Sequence, residues 1–199
     1  MLNELLKTCD FIAKRNLCAA TGGNFSLRLA DNQMQMSASG KDKGQLTAKD
    51  FVVCDFQGNW QQGDGKPSAE AALHGMIYQL SPKTQCVLHT HSMPVTVLSM
   101  LPETANKISF NGYEMQKTIA GFTSHNETLN LIVFENNQDI PALAQQVKAM
   151  WDAAHLANGL VVRGHGLYSW GNSVHDAKRH MEGLEFLVEC ELNRRRLLK

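Results

Sequence analysis

The chain has 199 residues, within the range of a single domain, and its 43% apolar content is enough to build a sizeable core. Lysine plus arginine balance aspartate plus glutamate at 19 each, which excludes an overall basic field for nucleic acid or an anionic membrane, so an anionic ligand has to be held by local groups. The N-terminus lacks the unbroken apolar run of a secretory signal, no stretch approaches a membrane span, and five scattered cysteines without a C-x-x-C pair fit reduced thiols in the cytoplasm.

Leu2, Leu5, Leu6, Cys9, Ile12 and Ala13 recur at helical spacing, so residues 1–16 predict an amphipathic helix packed on a core. After the turn Thr21-Gly22-Gly23-Asn24, alternating segments at 25–29 and 34–38 predict a hairpin that turns at Asp31-Asn32. A strand follows at 51–56, then a loop at 61–67, then a helix over 69–80 for which Ser68 is placed as the cap. The apolar run 86–88 predicts a buried strand leading into His89, and Ser92 with Pro94 starts a further helix. Segments 113–120 and 140–157 read as helices, 129–134 and 160–162 as strands, and 173–198 as a long closing helix. Without a repeat or linker the whole of 1–199 is one domain, and hairpins mixed with strand-helix alternation favour a mixed or largely antiparallel sheet covered by helices.

Residues two apart on a strand point to the same side, so His89 and His91 can reach one ion. With 8 histidines in 199 residues a bare H-x-H is weak evidence; its position carries the weight, because polar rings at the end of a buried strand need a partner. His165 sits between Gly164 and Gly166 after another apolar strand, a setting that suits a ligand presented at a tight corner, although a turn histidine bonded to backbone meets the same pattern. Three neutral imidazoles with open positions describe a catalytic rather than a structural zinc site. His74, His125, His155, His175 and His180 are expected at the surface.

Three loops offer hydroxyls or amides to a phosphate: 21–24, 37–41 and Pro67-Ser68 at a helix start. Glu70 and Glu114 both fall at helix starts, where compensation of the helix dipole explains them as well as catalysis does; either is a general acid-base group if it faces the metal.

Taken in order, TGGNFSLR, SASGKD, KPSAE, HTHS and RGHG resemble the class II aldolase/adducin family over nearly the whole chain. The resemblance implies a three-layer α/β/α fold with a mostly antiparallel sheet, one zinc per subunit on His89, His91 and His165, and substrate phosphate on Gly23, Asn24, Ser39, Gly40 and Ser68. Within the family, SASGKDKGQLTAKDF, SFNGYEMQKTIAG, FENNQDIPALA and VVRGHGLYSWG are similar to a dehydratase branch that removes water from a methylthio-substituted pentulose 1-phosphate during methionine salvage. Glu114 matches the acid-base glutamate of that branch and Glu70 that of the aldolases, and Ala69 replaces the second serine of the aldolase phosphate loop. A sugar-phosphate aldolase or epimerase on the same scaffold is the nearer alternative and a non-enzymatic adducin-like binding module the more distant one. The resemblance also implies a homotetramer acting on a small phosphorylated ketose, while the charge balance and cysteine usage above lead to the expectation of a cytoplasmic protein with no nucleic acid or membrane partner.

Overall fold

Period-two alternation in short strands decides which side chains meet which layer. In β1 (Asn24–Ala30), Phe25 and Leu27 join one core, whereas in β2 (Gln33–Ser37), Met34 and Met36 join the core on the opposite face. The two strands pair through Ser26 and Met36, and the turn between them carries Asn32 in the left-handed region at φ 59.

The computed structural model describes residues 1–151 and 156–198. The sheet continues with β3 (Phe51–Asp55), β4 (Trp60–Gln62), β5 (Cys86–Thr90), β6 (Lys107–Phe110), β7 (Leu129–Phe134), β8 (Gly159–Val162) and β9 (Gly166–Gly171). The nine strands lie in the order β4-β3-β2-β1-β5-β9-β8-β7-β6. Among the described residues β7 with β8 is the one parallel pair, so the sheet is mostly antiparallel, as expected. Strand β5 lies at its middle.

Helices α1 (Leu2–Lys14), α3 (Met93–Met100) and α5 (Val174–Leu197) cover the face that receives Phe25, Leu27, Cys86 and Leu88. Helices α2 (Ala71–Leu80) and α4 (Ile140–Ala149) cover the face that receives Met34, Met36, Val87 and Leu160. Two apolar cores on one sheet make the three-layer α/β/α architecture.

Several elements depart from their expected form. β4, β6 and β9 were not expected as strands, and segment 113–120 forms only the short 3-10 turn Glu114–Thr118. Helix α2 begins at Ala71 with Glu70 at its N-cap position; Ser68 does not cap the helix, its Oγ accepting instead from the Glu70 amide at 3.3 Å. Helix α4 ends at Ala149, where Trp151 leaves to stack on Trp170 with centroids 5.5 Å apart. The rest of the segment expected to extend it includes 152–155, and His155 with them, outside the described residues.

Two histidines expected at the surface are buried. His74 is 0% exposed because α2 is enclosed on nearly every side, and its Nδ1 lies 2.7 Å from Ser26 Oγ. His180 donates from Nδ1 to the Trp170 carbonyl at 2.7 Å and accepts at Nε2 from the Ala120 amide at 3.2 Å, which satisfies both nitrogens inside the core. His125 and His175 are exposed as expected. All five cysteines are free thiols, four of them buried.

Candidate active site

The central strand β5 delivers His89 and His91 to one edge of the sheet, and the corner between β8 and β9 delivers His165 beside them. Gly166 makes the approach possible: a Cβ there would lie 1.9 Å from the Thr90 carbonyl oxygen. Arg163 fastens the same corner, donating to Glu135 at 2.7 Å, to the Thr104 carbonyl at 2.9 Å, and to the carbonyls of Ser99 and Ala105.

The fully buried His89 ring stacks on Tyr168 at 3.8 Å, and its Nδ1 bonds to the Leu167 carbonyl at 3.0 Å. That bond assigns the proton to Nδ1 and leaves the Nε2 lone pair free. Nε2 of His89 lies 2.8 Å from Nε2 of His91 and 3.3 Å from Nε2 of His165. Glu70 completes the group, with Oε1 2.8 Å from His165 Nε2 and Oε2 3.3 Å from His89 Nε2. One donor atom from each of the four residues lies within 4.8 Å of the others.

This donor set fits a divalent cation. Burial holds His89 well below the ordinary histidine range and His91 down at about 4, so both rings are neutral at pH 7. Ligands about 2.0–2.1 Å from a tetrahedral ion lie roughly 3.3 Å from one another, close to the spacing found here. Burial opposes ionisation of Glu70, but its hydrogen bonds with His165 and Asn24 outweigh that and hold the carboxyl well below the usual carboxylate range.

Glu70 and His91 also border a cleft of about 190 Å³ whose walls include Gly23, Asn24, Ser39, Gly40 and Ser68. All five residues expected to contact phosphate therefore face one space. Gly23 has φ +75, and a Cβ on it would come within 2.6 Å of the His89 carbonyl oxygen, so glycine is required by both torsion and room. The Asn24 side chain donates to Glu70, and its Oδ1 is buried with no hydrogen-bond partner. Ser39 donates its amide to the Lys66 carbonyl at 2.9 Å, which draws the second and third loops together.

Glu114 is not brought to this group within one chain. Its side chain is 71% exposed and accepts from Lys117 Nζ at 2.5 Å, with His125 Nδ1 3.5 Å away. Two other residues at the site were not singled out from sequence. Lys43 borders the cleft although lysines ordinarily sit at the surface. Glu185, on α5, accepts from Thr90 Oγ1 at 2.6 Å and Ser92 Oγ at 2.5 Å, bracing the turn that carries His91 from behind.

Burial raises the Glu185 carboxyl from 4.5 to about 7. A raised folded-state pKa contributes stability that is fully present below the unfolded value and is lost as pH rises through the folded one. This group's contribution therefore falls between about pH 4.5 and 7, by roughly 3 kcal/mol. Urea denaturation across pH 5–8 is expected to show that slope in the wild type and to lose it in Glu185→Gln; equal slopes would refute the assignment.

Comparison with known proteins follows the same lines. The family model described as "Class II Aldolase and Adducin N-terminal domain" matches residues 3–192. A methylthioribulose-1-phosphate dehydratase of Yersinia enterocolitica is 51% identical over 196 residues, covering 98% of this chain and 93% of that protein. One from Pectobacterium carotovorum is 48% identical over 196 residues, covering 98% and 95%. Among solved structures, L-fuculose-1-phosphate aldolase from Thermus thermophilus superposes with a TM-score of 0.77 at 20% identity, covering 98% of this chain and 94% of that one. A sugar-phosphate aldolase from Thermotoga maritima superposes at 0.68 with 18% identity, covering 98% and 94%. These structures speak for the fold alone.

Proposed function

The chain belongs to the class II aldolase and adducin family, and we infer from that premise that it is a lyase removing water from 5-methylthioribulose 1-phosphate to give 5-methylthio-2,3-dioxopentyl phosphate. The observation that carries the reading is the opening of a three-imidazole, one-carboxylate group onto a cleft walled by amide and hydroxyl groups suited to phosphate. Half-identity with two dehydratases over almost the whole length supports the particular reaction.

His89, His91 and His165 are proposed to hold one zinc ion per chain, with Glu70 beside them. When bound, the ion supplies Lewis acidity that makes a proton next to a carbonyl easier to remove. The remaining steps need only carboxyl groups. The C3 proton passes to a carboxylate, for which ionised Glu70 is the group at hand. The C4 hydroxyl then leaves with a proton as water, and the resulting enol tautomerises to the 2,3-diketone, so one molecule of water is the only loss. Gly23, Asn24, Ser39, Gly40 and Ser68 are assigned to the phosphate.

Glu114 is proposed to donate the proton to the departing hydroxyl, acting on the site of a neighbouring copy in a homotetramer. Its exposure in the single chain is consistent with that placement, as is the exposed apolar edge of Met93 and Met100 on the helix that follows His91. No helix among the described residues is long and apolar enough to cross a membrane. Free thiols, four of them buried, are consistent with work in the cytoplasm, and the likeness to the dehydratases supports a place in methionine salvage.

The expected result with purified protein and methylthioribulose 1-phosphate is a product lighter by one water, with no smaller fragment on mass analysis. Release of dihydroxyacetone phosphate with an aldehyde would establish an aldolase instead, and an isomeric product of unchanged mass an epimerase.

A further inference from the structure

Lys43 stands where two of the cleft's loops meet. Its Nζ donates to the Thr21 carbonyl at 2.9 Å, in the loop carrying Gly23 and Asn24, and to the Lys41 carbonyl at 2.7 Å, in the loop carrying Ser39 and Gly40. The residue is 2% exposed, yet it borders the same cleft as Ser68, Glu70 and His91. Among the described residues lining that cleft it is the one lysine or arginine.

An ammonium has three N–H donors, so two carbonyl bonds leave one available. Carbonyl oxygens are neutral partners, and burial pulls the amine below the ordinary lysine range. The Glu70 carboxylate across the cleft is engaged by His165 and Asn24. A chain with no net charge provides no general attraction for a dianion, and the other phosphate contacts assigned above are uncharged.

We propose that Lys43 is the cationic partner of the substrate phosphate, giving its remaining N–H to a phosphate oxygen while its two carbonyl bonds set the spacing of the loops. The proposal rests on the reading of the substrate as a phosphorylated ketose. A lysine that only clamped the loops would have the same two bonds, so the test has to separate charge from shape.

Lys43→Gln keeps N–H donors for the two carbonyls and removes the charge; Lys43→Arg keeps the charge. Steady-state kinetics on methylthioribulose 1-phosphate, calorimetric binding of inorganic phosphate, metal content and thermal melting are measured for both variants and the wild type. In Lys43→Gln, KM for the ketose phosphate and Kd for inorganic phosphate should rise together, roughly 10- to 50-fold, while kcat and bound metal stay within a few-fold. Lys43→Arg should recover part of the loss. A folded Lys43→Gln protein that binds inorganic phosphate as well as the wild type overturns the proposal, as does a wild type with no measurable phosphate binding. Should Lys43→Gln not fold, Lys43→Arg decides alone: retained phosphate binding supports the charge, and loss of it with intact melting overturns it. A wild type that binds phosphate but leaves the ketose phosphate unchanged refutes the reaction, and the phosphate titrations still judge Lys43.

Discussion

His91→Ala protein is expected to emerge from purification with little bound metal and with kcat/KM reduced on the order of 10³ or more, because the ion both organises and activates the site. Of the three proposed ligands, His91 is the informative one to change. His89 is fully buried, stacked on Tyr168 and embedded in the central strand, so its removal also leaves a hole in the core. His91 lies at the strand exit and is partly exposed. Its alanine variant should keep its secondary structure by circular dichroism while elemental analysis reports the metal. Full turnover by metal-free protein would end the assignment of these histidines.

The two glutamates make the second large prediction. Glu114→Gln should lose on the order of 10² in kcat, with KM and metal content little changed, because it removes a titratable proton and nothing else from the reaction. Glu70→Gln should lose turnover to a similar order and some metal as well, since its carboxylate lies among the imidazoles. Refolding the two variants together separates action within a chain from action between chains. If Glu114 serves a neighbouring site, mixed oligomers combine an intact Glu70 with an intact Glu114 and activity returns, with light scattering reporting the assembly. If both act within one chain, no mixture recovers. A Glu114→Gln enzyme with wild-type turnover would remove that residue from the reaction, leaving Glu70 to do the proton transfers.

Much of this arrangement was legible in the sequence. Apolar runs ending in His89 and leading to His165 marked strand ends, and the hairpin around Asp31-Asn32 followed from alternation and turn chemistry. What escaped depends on contacts between distant segments. Strand β9 is flanked by glycines and interrupted by Ser169, and it is a strand because β5 and β8 bond to it on both sides. His74 and His180 look like surface residues on a helical wheel, and only the layers packed around α2 and α5 bury them. Lys43 and Glu185 belong to residue types that favour solvent, and no local pattern marks the partners found 22 and 95 positions away for them. Glu70 and Glu114 look alike in the sequence; the fold separates them, placing one among imidazoles and the other beside Lys117.

The proposed ligands His89 and His165 are 76 residues apart, and everything from α3 to β8 lies between them. An ion held by both therefore closes a long loop, acting as a reversible cross-link between β5 and the β8–β9 corner. Affinity for the ion and resistance to separation of these strands are then one free energy viewed from two sides, since a ligand bound only by the native state adds to its stability. A substitution at Arg163, which stands outside the imidazole group but fastens that corner, is expected to weaken metal retention to the extent that it populates the open corner.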